Sequence, residues 1–163
     1  YFATKEYQKA LEASNNVLDY DDLENPIKWD ALTIKARSSL LLKDSVGASD
    51  IYLLLEKSPD ELVVAEALYF RANLLHIDGK YDLSNDLISQ ISISTNQSSI
   101  WNAKSLLLLA KNYYLMNDPF QAIFVLDSLI KNFETYDQIV SEAEFLKTKF
   151  ENLLKNKNQK DNG

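Results

Sequence analysis

The stretch Leu68-Tyr69-Phe70-Arg71-Ala72-Asn73-Leu74-Leu75-His76-Ile77-Asp78-Gly79-Lys80-Tyr81 decides how the rest of the chain is read. It has a large apolar residue, a small one four positions later, and a Gly-containing turn. Leu32 lies 36 residues upstream of Leu68, and Leu106 lies 38 downstream. Four residues after each comes Ala: Ala36, Ala72 and Ala110. Twelve further on are the small residues Ala48, Ser84 and Ala122. Large residues follow at Tyr52, Ile88 and Leu126, then at Leu55, Ile91 and Leu129. Ala10 and Val17 match the second half of the same unit. Self-similarity at this period is the signature of stacked helical units. A small residue in mid-helix lets a second helix cross closely, and large residues fill the space between. Each hairpin keeps one apolar face for the next to cover.

Helix starts are marked by proline. Pro26 follows Asn25, Pro59 follows Ser58, and Pro119 follows Asp118. Asn, Ser and Asp satisfy orphan N–H groups as N-caps, and Pro is favoured in the first helical turn. Glu61 completes a capping box with Ser58. The pattern predicts helices at 4–18, 26–42, 45–57, 59–77, 81–92, 99–116, 119–133 and 137–155. In the last, Ile139, Ala143, Leu146, Phe150 and Leu153 recur at steps of four and three. Residues 92–98 are expected to be a loop, and 156–163 a frayed polar tail.

In Leu68–Ala72 and Asp78–Tyr81 the chain resembles the tetratricopeptide repeat (TPR) family. The Gly79-Lys80-Tyr81 turn looks like that family's inter-helix turn, and Ala72 takes its mid-helix Gly/Ala place. Asn117-Asp118-Pro119-Phe120-Gln121-Ala122 is a variant of the turn. The resemblance covers about residues 4–133: a half repeat at 4–19 and repeats at about 26–57, 59–92 and 99–133. Departures exist. Lys35 and Arg71 stand where the family has Leu, a place that Leu109 keeps in the last repeat, and Lys43-Asp44-Ser45 lacks the turn Gly and Tyr. The steps of 36 and 38 exceed the usual 34. The resemblance implies an all-α, right-handed superhelix of antiparallel helix pairs, a TPR-like α-α solenoid. Helix 137–155 is read as its C-terminal capping helix. A chain that begins at Tyr1 inside a helix is expected to be the C-terminal segment of a larger protein with upstream repeats.

Composition agrees with a single domain over 1–155. The chain has 163 residues, 46% of them hydrophobic, with 3 Gly, 3 Pro, one His and no Cys. Leu, a helix former, occurs 26 times. Cys-based or His-rich metal sites are excluded. The net charge of −7 argues against nucleic acid and anionic membranes. Residues 147–163 hold five Lys against Glu151 and Asp161, a net +3 that leaves −10 for the rest. No apolar run reaches the roughly 18 residues of a membrane span. Lys, Asn and Ile richness suggests a bacterial source. Localisation stays open, with the cell envelope favoured over the cytoplasm because such arrays are common there.

Enzyme signatures are missing. The sequence has no G-x-G-x-x-G, P-loop, G-x-S-x-G or H-E-x-x-H motif. His76, the lone imidazole, lies near a helix C-terminus, where it complements the dipole. The carboxylates Asp19, Asp21, Asp22 and Glu24 lack the Gly and spacing of an EF-hand. Catalytic residues, metals and cofactors are therefore expected to be none.

The resemblance implies a concave groove lined by first helices and used for peptides. Carried over, its candidate residues are Arg37, Tyr69, Asn73, His76, Lys104, Lys111 and Tyr114. Arg37, Lys104 and Lys111 would meet carboxylates of an extended peptide, and Tyr69 and Tyr114 would add apolar area. The expected function is non-catalytic protein–protein interaction with a protein or peptide partner. A purely structural scaffold, or a regulatory module of an enzyme whose catalytic domain lies elsewhere, are the alternatives.

Overall fold

The computed structural model describes residues 2–20, 22, 24–94 and 99–161, with the side chains of 4–20, 22, 24–91 and 99–156. The described residues form eight α-helices and no strand. They are α1 (Phe2–Leu18), α2 (Asn25–Leu41), α3 (Ser45–Leu55), α4 (Glu61–Ile77), α5 (Tyr81–Ser94), α6 (Ile100–Leu115), α7 (Pro119–Asn132) and α8 (Asp137–Asp161). The all-α class is thus as expected. Boundaries lie within two residues of the sequence reading, with one exception: α8 runs to Asp161, through most of the stretch expected to fray. Residues 92–94, expected in a loop, are the end of α5, and the remainder of that loop, 95–98, is outside the described residues.

Two helix starts differ in their chemistry. Asn25 is itself the first residue of α2, preceded by Glu24, and no side chain caps that end. At α4 the cap is Asp60 rather than Ser58. The Asp60 carbonyl accepts the Val64 N–H at 3.0 Å, and its Oδ1 accepts the Leu62 N–H at 2.8 Å. Ser58 Oγ accepts the Asp60 N–H at 3.1 Å and shapes the turn before the helix. Asp118 caps α7 as expected, accepting the Gln121 N–H at 3.1 Å, and Asp44 and Ser99 cap α3 and α6 the same way.

Three inter-helix turns share one geometry. Lys43, Gly79 and Asn117 have φ of 66°, 74° and 62°. In each turn the next residue donates its N–H five residues back: Asp44 to Ser39, Lys80 to Leu75, and Asp118 to Tyr113, at 2.8 to 2.9 Å. This is a left-handed helix C-cap that satisfies otherwise orphaned carbonyls. The turn at Lys43, which lacks Gly, therefore takes the same path as the turn at Gly79. Gly47 owes its place to the cap beside it. A Cβ there would lie 2.3 Å from the Asp44 carboxylate.

The chain divides into two compact units, Tyr1–Arg71 and Ala72–Gly163, where the sequence suggests one domain. In the first unit α2 packs on α1 and α3. Its core joins Leu32, Ala36, Ala48, Ile51, Tyr52, Leu55 and Ala67. In the second, α6 packs on α5, α7 and α8, and α7 also packs on α8. Its core joins Leu107, Ala110, Ala122, Val125, Leu126, Leu129, Ala143 and Phe150. Of the fifteen positions aligned in the sequence, all but the half-buried Leu106 are buried. The small ones permit close approach: Ser84 Oγ in α5 donates to the Ala72 carbonyl of α4 at 2.8 Å.

Candidate functional site

The first unit places Arg37 on α2 and Tyr69 on α4. Thr33, one turn earlier, donates its hydroxyl to the Trp29 carbonyl at 2.8 Å. Arg37 is committed to a carboxylate: Nε and Nη2 donate to the two oxygens of Glu66 at 2.7 and 2.5 Å. Glu66 is buried, while about half of the Arg37 side chain is exposed. Tyr52 Oη donates to Glu66 at 3.3 Å. The hydrogen bond to Glu66 raises the Arg37 pKa against the opposing effect of burial. Burial first, and then the Glu66 charge, push the Tyr52 hydroxyl far above the usual phenol value. Nearby, Phe70 stacks on Tyr52 with ring centroids 4.9 Å apart and meets Tyr69 edge-on at 5.4 Å. Arg71 pairs with Glu56 of the turn after α3.

The second unit holds the other five candidates. Asn73 is half-buried on α4. His76 Nδ1 lies 2.6 Å from Asn112 Oδ1, and its ring tilts against Tyr81 at 5.7 Å. Asn112 is fully buried, and its amide nitrogen donates to Ser84 Oγ at 2.9 Å and Asn85 Oδ1 at 2.7 Å. One amide thus joins α4, α5 and α6. Lys104 lies over the Trp101 ring, 4.5 Å from its centroid. Lys111 pairs with Glu142 of α8 at 2.8 Å. Tyr114 stacks on Phe150 of α8, centroids 3.9 Å apart and planes 5° from parallel.

Four of the candidates, Arg37, His76, Lys111 and Tyr114, therefore bridge helices within the protein. Arg37 and Lys111 occupy aligned positions, and each pairs with a glutamate two helices later in the chain. His76 makes the corresponding α4–α6 bridge. Sequence reading missed these partners: Glu66, Glu142, Asn112 and Phe150. A signal existed, since a glutamate follows Arg37 by 29 residues and Lys111 by 31. Also missed is a cluster of exposed apolar side chains at one edge of the second unit, including Leu115, Phe120, Phe124 and Leu153.

Among the described residues, no group of three or more His, Cys, Asp or Glu side chains is arranged to hold a metal ion. Among the described residues, no helix is long and apolar enough to cross a membrane. No protein-family model, curated protein or solved structure matches the chain.

Proposed function

We propose that the chain is a non-catalytic interaction module, a TPR-like right-handed superhelix of antiparallel helix pairs that binds a protein or peptide along the exposed faces of α2, α4 and α6. One observation carries this reading: three left-handed turn residues at steps of 36 and 38, with the same steps relating buried small and large positions. Stacked hairpins of this kind present extended binding surfaces because each repeat adds the same face to a growing strip. On that strip Lys104, Tyr69 and the exposed part of Arg37 are the contacts for an acidic, extended ligand. Lys111 and Tyr114 contribute only where they reach past α8.

A structural scaffold is the second reading, and the internal use of Arg37, His76, Lys111 and Tyr114 favours it. Selection from a random peptide library separates the two. The interaction module enriches acidic peptides, and Lys104→Glu loses them while the chain stays folded. A scaffold enriches none, or enriches the same peptides with and without Lys104.

A further inference from the structure

The hydrogen bonds around His76 fix where its proton sits. The Ala72 carbonyl can only accept, so the Ser84 hydroxyl donates its one proton there, at 2.8 Å. Ser84 Oγ must then accept from Asn112. That turns the Asn112 amide nitrogen toward Ser84 and Asn85, and its Oδ1 toward His76. This oxygen is an acceptor 2.6 Å from Nδ1, so Nδ1 carries a proton whether the ring is neutral or charged. In the neutral ring Nε2 is therefore a bare acceptor. It has no hydrogen-bond partner among the described residues, and it is not one of the buried polar atoms that lack a partner. His76 is half-buried, and Nε2 is the nitrogen that meets solvent.

We propose that His76 is a ligand contact through which the strip binds a carboxylate more tightly as pH falls. The inference rests on the acidic ligand proposed above and adds the group that regulates its binding. Protonation turns Nε2 from an acceptor into a charged donor. A charged donor pairs with a carboxylate, whereas a bare lone pair repels one. The buried network loses nothing in the change, because Asn112 accepts from Nδ1 in both states. The ring also lies in the last turn of α4, where the helix dipole favours a positive charge. Charged groups on the surrounding elements leave the ring alone. Asp78 and Lys80 of the following turn pair with each other at 3.3 Å. Lys111 on α6 pairs with Glu142 of α8, and Asp82 and Asp86 on α5 are exposed. None of these bonds the imidazole. The chain has one histidine and no cysteine. Between about pH 5.5 and about pH 7.5 this imidazole is thus the side chain whose type ordinarily changes charge.

The probe is the acidic peptide selected from the random library, made without histidine and acetylated at its N-terminus. Its carboxylates titrate near pH 4 and stay ionised across this window. Binding about three- to fivefold tighter at about pH 5.5 than at about pH 7.5 is expected, the size of one exposed ion pair. His76→Asn keeps an amide N–H in the place of Nδ1 and should remove the pH dependence. Equal affinity at the two pH values, or a dependence that His76→Asn retains, would overturn this inference and leave the acidic ligand standing. Binding at neither pH would overturn both. Ring nitrogen chemical shifts of the unsubstituted, ligand-free chain give a check that needs neither peptide nor variant. At about pH 7.5 they should place the neutral ring's proton on Nδ1. A proton on Nε2 would sink the proposal, since the outward nitrogen would then donate at every pH.

Discussion

Glu66 is a carboxylate removed from water on α4, and its two oxygens are both taken by Arg37. A buried charge is tolerated when its hydrogen bonds are complete, and removing one partner leaves it exposed to the full cost. Tyr52 is the third member, and its behaviour with pH is a test of the arrangement. Its folded pKa lies above the ordinary value near 10. Between those two values the folded chain keeps a proton that the unfolded chain has released. Stability therefore falls as pH rises above about 10. Tyr52→Phe should cost up to about 1 kcal/mol near neutrality, since the lost bond is long. The gap should narrow by about pH 11, because the variant has no proton to lose there. Urea midpoints for both chains across that range check this, and parallel curves would contradict it. The Arg37–Glu66 pair was half legible. Arg37 stands among the predicted groove residues, but spacing along one helix does not show which side chain of another will meet it.

At the scale of the helix, ends are decided by individual side chains. Asp60→Ala should cost about 1 kcal/mol, the usual worth of an N-cap. Ser58→Ala should cost less, because that hydroxyl acts outside the helix. Denaturation midpoints that rank the two the other way would restore Ser58 as the cap. Asp60 was hidden because Pro59 is commonly a first-turn residue, and here it precedes the helix by two positions. The turns carry a sharper prediction. Lys43 holds a left-handed conformation in which its Cβ crowds the backbone, at a cost of about 1 kcal/mol. Lys43→Gly should stabilise the chain by about 0.5–1 kcal/mol. Asn117→Gly should gain less, since Asn tolerates that region. Sequence comparison finds no turn glycine at 43, yet the flanking helices and the cap at Asp44 impose the same path. Turn geometry survived where turn composition did not.

At the scale of the molecule, periodic placement of small residues was legible because close helix crossing leaves little choice of size. Ala36, Ala72 and Ala110 are fully buried, as are Ala48, Ser84 and Ala122. Ala72→Leu should therefore destabilise by about 1–3 kcal/mol through overpacking, displacing the hydroxyl of Ser84 from the Ala72 carbonyl. A melting temperature unchanged by that substitution would show that α4 and α5 do not cross closely there. The candidate ligand face was less legible. Cations stand out in an acidic chain, and sequence alone does not show that Arg37 and Lys111 already have carboxylates of their own. Nor does it show that Leu115, Phe120 and Leu153 are left exposed beside the α6–α7 turn.

Binding along the faces of α2, α4 and α6 is the central claim, and backbone amide shifts test it most directly. The ligand is the acidic peptide selected from the random library, added to the isotope-labelled chain. Saturable shifts clustered around Tyr69 and Lys104, and lost in Lys104→Glu, are the predicted result. No saturable shift at any concentration, or shifts unchanged by Lys104→Glu, would contradict the account and leave the chain a scaffold.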